Sequence, residues 1–201
     1  MSNKVLRRMV FLAAIAFFVM AGAAQAQQMT AEQAIKDWPE AAKGAAEQMI
    51  SKYGQPEGVT PNMLVWREEA PWKEIIVYRE EIPHSFPVEH MDVLEQVIMY
   101  KVPVDKYDEL AEFDGSVIVE RTKGTMAARC DNEAANILAL NLANDIVTGK
   151  RSVQDARDYY AKAVKTFMEQ KKMDPYMEKL QFQQEKDEKK TRDSDKSVEN
   201  K

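Results

Sequence analysis

Two histidines, His84 and His90, are the only imidazoles in the chain's 201 residues. They share one short stretch, Pro83-His84-Ser85-Phe86-Pro87-Val88-Glu89-His90-Met91-Asp92. Imidazole with carboxylate suits zinc, and imidazole with thioether suits copper. His84 and His90 therefore form the heart of a candidate metal site, with Asp92, Glu89 or Met91 as further ligands. On a single helix a six-residue spacing would rotate the two rings apart by about 240°. They meet only if the chain before Pro87 folds back. The plainer alternative is a loop residue, His84, and a helical residue, His90, since the spacing matches no established ligand motif.

Cys130 is the one thiol. It precedes Asp131, which is expected to cap a helix, and a helix N-terminus favours a reactive thiolate. Asp131 and Glu133 oppose that effect, and a small buried residue under a sheet is the commoner fate of a cysteine. Arg121, Lys123 and Arg129 surround one expected hairpin and make a candidate anion-binding group; their alternative partners are Glu120, Asp131 and Glu133. Trp66, Trp72 and Tyr78 lie on another hairpin. Trp72 falls in its loop after Pro71, where an exposed indole would anchor a protein partner; the alternative is a ring folded back onto the sheet. Asn141, Asn144, Asp145 and Thr148 fall within about 100° on a helix and would line a cleft, an interface or a solvent face.

Support for catalysis is thin. Ser85 beside His84 is a sequence neighbour, not a dyad. No G-x-S-x-G elbow or phosphate-cradling glycine loop occurs. Glu68-Glu69 and Glu80-Glu81 are paired carboxylates, but among 33 acidic residues such pairs arise without meaning.

The elements that position these residues follow from spacing. Thr30 and Gln33 form a capping box ahead of an apolar stripe from Ala34 to Tyr53. Pro39 should kink or split that helix, and Gly54 with Pro56 ends it. Met63 to Arg67 and Glu74 to Arg79 read as a hairpin. Met91, Leu94, Val97 and Ile98 predict a helix over 88–100. Residues 105–113 predict a short helix. Ser116 to Arg121 and Thr125 to Cys130 predict a second hairpin around a three-residue turn, with Val117 facing Arg129. A long, largely buried helix follows to Thr148. Ser152 with Asp155 opens another. Each hairpin is thus followed by a helix. The expected fold is α+β: two ββα units forming a four-stranded antiparallel sheet with helices packed on it, plus flanking N- and C-terminal helices.

The ends of the chain differ from its middle. Lys4, Arg7 and Arg8, an apolar run from Met9 to Ala21, and Ala24-Gln25-Ala26 have the order of a bacterial secretory signal peptide. Residues 1–26 are then removed, 27–172 form one domain, and 173–201 form a charged disordered tail. Residues 185–201 hold six acidic and six basic residues. Removing the three basic residues of the leader leaves 25 basic against 33 acidic residues, a net charge of −8. That balance argues against nucleic acid and against anionic membrane surfaces, and no stable membrane insertion is expected after cleavage. The setting is periplasmic or secreted.

Ile50-Ser51-Lys52-Tyr53-Gly54-Gln55-Pro56, followed by Trp66, resembles the helix, G-x-P, strand, Trp order of the small outer-membrane assembly lipoproteins of the BamE type over residues 45–80. The chain lacks their lipidated cysteine, and no activity is carried over. The sequence thus predicts an exported, non-catalytic binding or assembly module with a protein partner in the cell envelope and no cofactor. The alternative is a metal-binding protein or metal-dependent enzyme using His84 and His90, with zinc or copper.

Overall fold

The computed structural model describes residues 29–184. The expected leader and cleavage site, and residues 185–201, lie outside the described residues. The fold is α+β, an open six-stranded antiparallel sheet with helices on one face.

The capping box forms as expected, Thr30 accepting from the Gln33 N–H and Gln33 reaching back. Pro39 splits the first stripe. Helix α1 is Ala31–Ile35, and α2 is Glu40–Tyr53 with Pro39 as its N-cap. Gly54 ends α2 at φ 79°, a left-handed conformation that glycine adopts without steric cost. Strands β1 (Gly58–Val59) and β2 (Met63–Arg67) follow.

Strand β3 runs over Glu74–His84, longer than its β-branched run, and β4 runs over His90–Met99. The helix expected over 88–100 is therefore a strand, and the first unit is a meander rather than ββα. The spacing of Met91, Leu94, Val97 and Ile98 suits a helix, but the buried inward side of this strand includes Asp92, Leu94, Gln96 and Ile98. Two polar residues on that side hide the period of two on which strand recognition depends. Pro83 is tolerated because β2 pairs with β3 only as far as Tyr78, so Pro83 lies on a stretch that β2 does not reach.

A 3₁₀ turn (Val104–Lys106) leads into α3 (Tyr107–Phe113). Strands β5 (Val117–Glu120) and β6 (Thr125–Cys130) form the second hairpin. Its turn holds four residues, not three, because Glu120 pairs with Thr125 and Gly124 sits at φ 66°. Val117 consequently faces Ala128 rather than Arg129. Helix α4 (Glu133–Val147) is capped by Asn132 rather than Asp131, and α5 (Val153–Gln170) opens with the Ser152/Asp155 capping box. The sheet order is β1-β2-β3-β4-β6-β5, so six strands replace the expected four.

The core lies between the sheet and its helices. Leu64, Trp66, Ile75, Val77, Leu94, Ile98, Met126 and Ala128 meet Ala42, Ala45, Ala46 and Met49 of α2 and Leu138, Leu142 and Ile146 of α4. The packed chain continues beyond residue 172. Helix α6 (Pro175–Glu178) buries Met177, and Phe182 packs edge-on against Tyr100. Packing runs through the last described residue, Gln184, whose amide donates to the Pro71 carbonyl at 2.7 Å. Among the described residues no helix is long and apolar enough to cross a membrane.

Candidate metal centre

The hairpin of β3 and β4 brings the two histidines together. His84 pairs directly with His90 across the strands, joined by residues 85–89. The fold-back that the sequence required is this turn. The rings lie 4.9 Å apart between centroids, tilted at 50°. Asp92 stands two residues along β4, so its side chain shares the face of His90.

His84 Nδ1 is 3.3 Å from Asp92 Oδ2, and His90 Nε2 is 3.1 Å from Asp92 Oδ1. One ligand atom from each residue falls within 4.8 Å of the other two. These contacts are close, yet His84 Nδ1, His90 Nε2 and Asp92 Oδ1 are all buried without a hydrogen bond. Six buried side-chain polar atoms lack one among the described residues, and half of them meet here.

The surroundings fix both rings. His90 Nδ1 lies 2.8 Å from the Val88 carbonyl. A proton on Nδ1 satisfies that carbonyl and sets Nε2 toward the Asp92 carboxylate. His84 Nε2 faces Asp114 Oδ1 at 3.8 Å. Asp114 ends α3 and is itself held by the Ser116 N–H and hydroxyl, each at 2.8 Å. Burial pushes the Asp114 carboxyl up against those two hydrogen bonds. The hairpin tip is pinned by α5: Phe86 packs edge-on to Tyr160 at 5.4 Å, and the Arg157 guanidinium covers Phe86 at 3.8 Å.

The electrostatics favour positive charge at this point. Burial opposes charging His90, but the Asp92 carboxylate outweighs it, with help from Cys130 and the Val88 carbonyl, and the ring is pushed up to about 11. Buried Asp92 thus draws a cation toward itself, whether a proton on imidazole or a metal ion in its place.

The other sequence-derived residues fall elsewhere. Glu89 is exposed and Met91 packs partly against the core; neither joins the cluster, so copper loses its expected thioether. Trp72 is 2% exposed and Trp66 1%, which corrects the expectation of an exposed anchor. Trp66 donates to the Gly54 carbonyl at 2.9 Å, and Trp72 to Glu133 Oε1 at 2.6 Å. Their N–H groups need buried acceptors, and the core supplies them. Tyr78 is half-buried on the opposite sheet face, donating to Glu95 at 3.1 Å.

The basic group does not converge on an anion site. Lys123 pairs with Glu120 at 2.8 Å. Arg129 stands opposite Glu95 and 5.9 Å from the Tyr78 ring. Arg121 lies in the turn, outside both strands. Cys130 is buried, the commoner fate weighed for it, and burial pushes its thiol up while His90 pulls it down. The polar side of α4 is divided: Asn141 and Asp145 are buried, Asn141 donating to the carbonyls of Tyr176 and Lys179, each at 2.9 Å, while Thr148 is exposed.

Sequence reasoning missed Asp114 and Tyr160 at this centre. Asp114 reads as a helix end beside a glycine, and Tyr160 as one member of an apolar stripe; neither spacing signals a role. The comparisons add no family context: no family model, no curated protein and no solved structure matches the chain.

Proposed function

We propose that this is an exported metal-binding protein that holds one divalent cation of the zinc class through His84 Nδ1, His90 Nε2 and an Asp92 carboxylate oxygen. One observation carries the reading: three buried ligand atoms within 4.8 Å, drawn from three residues, are left without hydrogen bonds. Buried polar atoms in folded proteins are ordinarily paired, and a cation would satisfy all three at once. Two imidazoles and a carboxylate are a common zinc donor set. The signal-like leader supports export. The partner-binding reading drew part of its support from an exposed Trp72, which is 2% exposed.

Equilibrium dialysis of untagged protein from residue 27 onward against zinc tests the proposal. The expected result is about one zinc per chain, lost in His90→Ala and in Asp92→Asn. Binding that is absent, or unchanged in both variants, overturns it.

A further inference from the structure

The cluster supplies two nitrogens and one oxygen, whereas zinc sites usually hold four donors. A fourth donor of suitable chemistry stands on the same face of the sheet. Leu94 of β4 pairs directly with Cys130 of β6. Asp92 lies two residues from Leu94 and shares its face, which makes it the diagonal neighbour of Cys130, within reach of side chains. Cys130 is 5% exposed, and its thiol interacts with the His90 ring. Its other contacts are weak. It donates to Asp131 Oδ1 at 3.5 Å, and the Tyr160 hydroxyl stands beside it.

Beside it lie two buried atoms without a hydrogen bond, 3.1 Å from each other. His90 Nε2 and Asp92 Oδ1 belong to side chains only 9% and 6% exposed. Phe113 and Phe86 pack around Tyr160, so this side of the cluster is closed by aromatic rings. In the described conformation the sulfur lies outside the three-atom cluster, so ligation requires the Cys130 side chain to move.

Resting on the cation reading above, we infer that Cys130 is the fourth ligand, so the site takes a thiophilic divalent ion in a closed His₂-Asp-Cys shell. On binding, the thiol proton leaves to solvent as the sulfur–metal bond forms. A shell of four protein donors keeps no position for water or substrate, the pattern of metal-holding rather than hydrolytic zinc sites.

Cobalt(II) titration of the reduced chain from residue 27 onward tests this, because cobalt replaces zinc and reports sulfur ligation in its spectrum. The expected result is one cobalt per chain with an intense near-ultraviolet sulfur-to-cobalt charge-transfer band. Cys130→Ser should lose that band and bind on the order of tenfold or more weakly, with its fold checked by far-ultraviolet circular dichroism. Wild-type protein that binds cobalt without the band overturns the role of Cys130 and leaves the three-residue site standing. Wild-type protein that binds no cobalt overturns both.

Discussion

Two polar clusters lie under this sheet, and they are built in opposite ways. At one, donors crowd a single carboxylate. Glu133 Oε1 accepts from Tyr53 at 2.5 Å, Trp72 at 2.6 Å and Gln96 at 3.1 Å, while Oε2 accepts from Lys52. Asn136 extends the network, donating to Gln96 at 3.0 Å and to the Leu94 carbonyl at 2.9 Å. Burial would raise the Glu133 carboxyl, but its donors hold it below the usual carboxylate range. At the other cluster, His84, His90 and Asp92 bring ligand atoms as close without a hydrogen bond among them. Satisfied donors around Glu133 tie α2, the loop before β3, β4 and α4 into one body. At the histidines, two rings instead gather on the one Asp92 carboxylate, at 3.3 and 3.1 Å.

Breaking the Glu133 cluster should have the largest effect on stability. Glu133→Ala removes the acceptor shared by Tyr53, Trp72 and Gln96, with Trp72 keeping only the Tyr53 hydroxyl, a loss of about 3 kcal/mol, measurable as a lower urea midpoint with the slope unchanged. Zinc binding, scaled to the folded fraction, should persist. If Glu133→Ala abolishes zinc binding in folded protein, the two clusters are not separate.

The same carboxylate predicts an acid limb. Its folded pKa is depressed below 4.5, so its contribution is fully present above the unfolded pKa and is lost as pH falls through the folded value. Glu133→Gln should flatten the fall in stability below about pH 4.5. An unchanged acid limb would show that the network does not depend on the charge.

Filling the histidine cluster should stabilise the fold. Zinc at a hundredfold excess over its dissociation constant adds about 2.7 kcal/mol, seen as a higher Tm that a chelator reverses. Metal with no effect on Tm would count against a folded-state site. A smaller change tests Trp72 as a core residue: Trp72→Phe keeps most of the ring and removes one N–H, costing about 1–2 kcal/mol. Neutral behaviour would return Trp72 to the surface role first read for it. The least effect belongs to Lys123→Ala, an exposed pair with Glu120 worth about 0.5 kcal/mol or less. A larger loss would make the basic hairpin more than a solvated rim.

These contrasts also mark where sequence was readable. Helix ends carried by Thr30, Pro39, Gly54, Ser152 and Gly149 were legible because capping is local chemistry. Strand β4 was not, because Asp92 and Gln96 occupy its inward side and each is explained only by distant partners, His84 for one and Glu133 with Asn136 for the other. The same long-range pairing decided the histidines. Their residue types pointed to metal, but only the β3–β4 register turns a six-residue separation into a facing pair. Trp72 was misplaced for a related reason: the acceptor that draws it inward, Glu133, lies 61 positions away.

The most direct test is a crystal structure of the zinc-soaked protein, with anomalous data collected at the zinc edge. The account predicts one strong peak about 2.0–2.2 Å from His84 Nδ1, His90 Nε2 and an Asp92 oxygen. No peak there, or both histidines found hydrogen-bonded to Asp92 in the presence of zinc, would contradict it.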